Sequence, residues 1–155
     1  MTKFLLSLHV LAAVLAVGPV AVAASMFPAS LRSALGPPGE ADAPPALRTL
    51  HRICRVYAAV GVAVPLTGFA TASSLGVLGS AWLIASIVLT TAAAAVLMLW
   101  ILPAQEAALA AVEEPGSGPP PRPAAQLSMS AGVFNLLWAT VTVLMIVRPG
   151  STTGA

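Results

Sequence analysis

The stretch SAWLIASIVLTTAAAAVLMLWIL, residues 80–102, decides the fold class, because it runs without a single Asp, Glu, Lys or Arg. A helix rising 1.5 Å per residue crosses a hydrocarbon core about 30 Å thick in about 20 residues. Residues 56–78, 4–26 and 127–147 are three more uncharged runs of that size. The chain therefore reads as an all-α, multi-pass membrane protein whose four transmembrane helices form a small bundle. Residues 1–155 form a single integral membrane domain, with polar loops at 27–55 and 103–126. The second and third runs are joined only through Leu78, Gly79 and Ser80, so tight a connection that it implies an antiparallel hairpin.

Composition excludes the other classes. Of 155 residues, 58% are hydrophobic and 8% charged, with a mean hydropathy of +0.94, whereas soluble domains carry about 25% charged residues. Disorder requires low hydrophobicity, and one cysteine, Cys54, excludes a disulfide framework. No phosphate-binding glycine loop, nucleophile elbow, metal-ligand cluster or nucleic-acid motif occurs. No catalytic and no metal-binding residue is assigned.

Orientation follows from the flanking cations. Arg32, Arg48, Arg52, Arg55 and Arg122 lie in the two connecting segments, against Lys3 and Arg148 at the ends. That imbalance expects cytoplasmic connections and both termini outside a bacterial cell membrane. A rival reading makes residues 1–24 a cleaved secretory signal, with Lys3 as its basic start and Ala21-Val22-Ala23 as its cleavage site. Four prolines in residues 36–45 and five in residues 115–123 mark loops. Residues 46–55 and 105–114 read as helical extensions of the second and third spans.

Small residues suit close helix packing in lipid: Gly61 and Gly68, Ala12 and Ala16, and Ala92 to Ala95. Pro19 and Pro65 each remove a backbone donor within a span and are expected to kink it. His9 is the one ionisable side chain inside a span, about 8 Å deep. Such groups face the bundle interior and mark proton paths or ligands. Thr71, Ser86 and Thr142 fall at a similar depth, so His9 is either a hydrogen-bonded structural node or a contact for a proton, metal, haem or quinone. Asn135 is expected to bond between helices.

Arg48, Arg52 and Arg55 recur at helical spacing on one face with His51 beside them. They suit anionic lipid headgroups, or alternatively an anionic ligand held by forked guanidinium donors. Tyr57, Trp82 and Trp100 near the span ends fit an aromatic belt, and Trp138 lies deeper. Cys54 is read as a small apolar filler.

The opening Lys3-Phe4-Leu5-Leu6-Ser7-Leu8-His9, with Gly18 following His9 after eight intervening residues, the Met26-Phe27-Pro28 exit and the Leu50-His51-Arg52 entry resemble a family of small bacterial integral membrane proteins of unknown function. More distantly the chain is similar to the copper-resistance D membrane proteins and the HemJ-type protoporphyrinogen oxidases. The latter resemblance implies a haem-binding role for His9. The leading expectation is a non-enzymatic structural or accessory subunit with no cofactor, in contact with the bilayer and with a homo-oligomer or membrane-complex partner. A b-type haem or quinone-linked redox protein using His9 is the alternative, and an oligomeric small-molecule transporter is a third reading.

Overall fold

A computed structural model describes residues 2–36, 43–114 and 122–150. In chain order these residues form α1 (Thr2–Ala34), α2 (Ala43–Val60), α3 (Ala63–Leu75), α4 (Ala81–Ala95), a π-helical segment (Val96–Ile101), α5 (Leu102–Glu113) and α6 (Ala124–Val147). No strand occurs among the described residues. Four rods result, each long and apolar enough to cross a membrane: α1, α2 with α3, α4 with the π segment and α5, and α6. Between 11% and 28% of the most apolar window of each rod is buried inside the protein. Side chains such as Leu66 and Ile146 are 67% and 74% exposed, which is stable only where the surroundings are lipid. The chain is a multi-pass membrane protein.

Several expected boundaries move. The first helix passes Met26 and Pro28 and continues to Ala34, with Phe27, Pro28 and Leu31 buried. Proline locks φ near the helical value and removes one donor, and burial of its neighbours outweighs that loss. Residues 27–34 and 43–45 are thus helix, not loop, and residues 46–55 are helical as their spacing leads one to expect. Pro44 and Pro45 sit in the first turn of α2, where the missing donors would be unpaired anyway. The expected loop at 36–45 otherwise lies mainly outside the described residues, as does most of the one at 115–123.

Pro65 acts differently from Pro19, which lies within the unbroken α1. Having no N–H to offer the Gly61 carbonyl, Pro65 sits three residues into α3, just after the break at Gly61 and Val62. Shorter bonds bridge that break, from Val62 N–H to Ala59 O at 3.2 Å and from Val64 N–H to Gly61 O at 3.1 Å. Pro103 has the corresponding effect on the third rod. Just before it, the Leu102 N–H reaches back five residues to the Leu97 carbonyl, which is the π-helical bond.

The α3–α4 connection runs over residues 76–80. Gly76 closes α3 in the left-handed region at φ 68°, its N–H on Ser73 O while the Val77 N–H bonds Ala72 O. This paired closure favours glycine, which has no Cβ to clash there. The two helices nevertheless do not pack closely on each other: α3 leans on α1, and α4 on α6. At the other end α1, α2, α5 and α6 close around a core that includes Phe27, Leu31, Leu47, Ile101, Leu127 and Phe134.

Candidate functional site

His9 stands on α1 against the start of α3. Its Nδ1 lies 3.1 Å from the Val64 carbonyl oxygen and 3.2 Å from Thr67 Oγ1. A carbonyl only accepts, so Nδ1 carries the proton and donates it. The Thr67 hydroxyl already donates to Ala63 O at 2.7 Å, leaving its oxygen free to accept. Nε2 is then the unprotonated nitrogen, and it makes no hydrogen bond among the described residues. The ring lies on Gly68, where an added Cβ would stand 2.9 Å from His9 Cε1.

The gap between α3 and α4 is a cavity of about 340 Å³ with His9 in its wall. Its lining is chiefly apolar, with Leu6, Leu83 and Met145 among the contributors, and its polar side chains include Thr71, Ser86, Thr90 and Arg148. Phe69 and Ile87 line it and are themselves 65% and 52% exposed, so the cavity opens sideways toward lipid. A second cavity of about 420 Å³ shares Val64, Pro65 and Thr90 with the first and continues past Ala94 to Arg55, Tyr57 and Trp138. Both volumes fall within the range typical of small-molecule sites, about 300–1,000 Å³.

Arg148 follows the last turn of α6. Its backbone is left-handed at φ 45°, its Nε donates to Met145 O at 3.2 Å, and its guanidinium carbon lies 5.7 Å from the centre of the Trp82 ring. The Trp82 indole N–H is buried and has no acceptor among the described residues.

At the opposite end His51 leaves the arginine face. Arg48, Arg52 and Arg55 are exposed, while His51 is buried with its Nδ1 3.2 Å from Gln105 Oε1 on α5. The Gln105 amide nitrogen in turn donates to Cys54 Sγ at 3.6 Å. Arg48 pairs with Glu113, joining α2 to α5 a second time.

The expected interhelical hydroxyls do not meet His9. Thr71 donates to Thr67 O, Ser86 to Trp82 O and Thr142 to Trp138 O, each within its own helix. Asn135 does reach across, from Nδ2 to Ser25 Oγ on α1 at 3.0 Å. Trp100 is exposed, but Trp82 is buried and Tyr57 and Trp138 line the second cavity. Thr67, Gln105 and the cavity role of Arg148 were not anticipated from sequence. Thr67 lies two residues past Pro65 and Gln105 two past Pro103, so polar residues just beyond a proline within or at the end of a span were the available signal.

Comparison with family models, curated proteins and solved structures returned no match.

Proposed function

We propose that this chain is a non-enzymatic accessory protein of a bacterial inner membrane, with both termini outside, and that it holds a lipophilic molecule drawn from the bilayer. The observation that carries this reading is the sideways-open cavity between α3 and α4. Two helices joined by a five-residue connection would ordinarily close on each other, and here they lean apart onto α1 and α6. Apolar walls with a few placed polar groups are the usual make-up of a small-molecule site. Among the described residues the lining holds no carboxylate, and His9 is its one side chain suited to proton transfer, a sparse polar set that suits binding. The orientation rests on the excess of arginine in the two connecting segments.

Mass spectrometry of organic extracts from the detergent-purified protein tests the reading. A lipophilic species should accompany the wild type in stoichiometric amount and be lost from Thr90→Phe, which fills the passage shared by the two cavities. Equal recovery from both proteins, each eluting as a folded species, refutes it.

A second reading, a haem b or quinone redox protein using His9, is favoured by the Val64 carbonyl. An imidazole whose Nδ1–H is held by a backbone carbonyl leaves its Nε2 lone pair available to an iron ion. His9 would hold the iron, and the haem would supply one-electron chemistry. A Soret band present in the wild type and absent from His9→Ala is its signature; a featureless spectrum in both removes it.

A further inference from the structure

We propose that the crevice between α3 and α4 takes an anionic amphiphile, a carboxylate or phosphate on a long apolar chain, with its head at Arg148 and its chain lying along α4. This names the class of ligand for the binding reading above and rests on it.

Charge selects the head. Among the described residues Arg148 is the one side chain of fixed charge lining the first cavity, and no carboxylate lies within ion-pair distance of it. Its Nε is committed to the Met145 carbonyl, while its two Nη groups have no acceptor among the described residues. The guanidinium is held at the cavity mouth by that bond and by the face of Trp82. The left-handed backbone at Arg148 is uncommon for a residue with a Cβ. A planar fork with free N–H groups matches carboxylate or phosphate oxygens. A cationic head would be repelled there, and a neutral one would leave the guanidinium uncompensated.

A second sign lies beside it. Trp82 is 6% exposed and lines the same end of the cavity, and its indole N–H has no acceptor among the described residues. A buried donor left unpaired is unfavourable, and the oxygens of an anionic head are the missing kind of group.

Shape selects the chain. From Trp82 to Ala94, residues lining the first and second cavities in turn, the wall runs about 18 Å at 1.5 Å per residue. Leu83 and Ile87 stand on this wall and Leu75 and Phe69 face the same space from α3. That is room for an extended hydrocarbon chain, with lateral entry past Phe69 and Ile87.

The test uses the full chain in nanodiscs of neutral phosphatidylcholine at mildly alkaline pH. Probes share one saturated chain bearing a far-end diazirine and differ in the head: carboxylate, monoalkyl phosphate or alcohol. A two-chain phosphatidylglycerol with the same diazirine chain is added as a fourth arm. Labelled residues are mapped by mass spectrometry. The carboxylate and phosphate probes are expected to label the wall near Thr90 about fivefold more than the alcohol. Arg148→Gln should abolish that preference, Arg148→Lys should retain most of it, and Lys3→Gln should leave it unchanged. Labelling by the two-chain lipid equal to that by the single-chain acids assigns the ligand to the bilayer, and weaker labelling assigns it to free amphiphiles; both support the proposal. Equal labelling by acids and alcohol, indifferent to Arg148→Gln, overturns the anionic head and leaves the binding reading standing. No labelling of the wall above that of lipid-facing Ile146 overturns both.

Discussion

The imidazole of His9 lies on the backbone of Gly68, so close that a Cβ at Gly68 would meet His9 Cε1 at 2.9 Å. One residue provides the space and the other fills it. The same placement brings Nδ1 within 3.1 Å of the Val64 carbonyl, so the absent side chain and the hydrogen bond depend on each other.

Gly68→Ala separates these effects by sign. Elsewhere in a helix, replacing glycine by alanine stabilises by about 1 kcal/mol. At Gly68 the methyl must displace the ring, and the change is expected to destabilise by about 1–2 kcal/mol, read as a lower melting temperature in detergent. In a His9→Ala background the same substitution should raise the melting temperature. A rise in the presence of His9 would refute the contact.

Gln105→Leu should expose the other histidine's dependence on its partner. It leaves the His51 Nδ1–H buried without an acceptor, at a cost of about 1–3 kcal/mol. Cys54, fully buried and the sole cysteine, reports the same event. Its alkylation by a membrane-permeant maleimide should be faster in Gln105→Leu than in the wild type. His51→Leu combined with Gln105→Leu should recover most of the stability.

The Asn135–Ser25 bond predicts an asymmetry. Asn135 Nδ2 donates to Ser25 Oγ, while its Oδ1 is buried with no partner among the described residues. Asn135→Leu removes the bond together with an unsatisfied acceptor and should change stability by less than about 1 kcal/mol. Ser25→Ala leaves the whole amide unpaired between α1 and α6 and should be the more damaging of the two. Melting temperatures of both variants decide it.

The Arg48–Glu113 pair should contribute little. Arg48 is 60% exposed there, and surface pairs are worth about 0–1 kcal/mol. Glu113→Gln is expected to leave the melting temperature nearly unchanged. Arg52→Gln and Arg55→Gln should instead weaken association with anionic lipid, by about 1 kcal/mol each, measured as exchange of labelled phosphatidylglycerol around the protein.

Topology can be checked directly. Reporters fused after Gly36 and after Gly116, beyond α1 and beyond α5, should both be active only in the cytoplasmic form. Activity of an external reporter at either site would reverse the assignment of that segment.

Four spans and an all-helical chain were legible in the residues alone, because a membrane imposes a local rule: an uncharged run of about 20 residues must satisfy its backbone within its own helix. The sequence also placed Arg48, Arg52 and Arg55 on an exposed face, since helical spacing alone sets that. The partners of His9 emerge only when the helices are packed together. Counting depth along straight helices pointed to Thr71, whereas the break at Gly61 and Val62 before Pro65 brings Thr67 and the Val64 carbonyl to the ring. The same holds for His51, which lies among the arginines in sequence yet turns inward to Gln105. Above all, a short α3–α4 connection makes two helices antiparallel without making them touch. Whether they close is set by what each packs against, α1 for one and α6 for the other, and those competing contacts between distant parts of the chain leave no local trace.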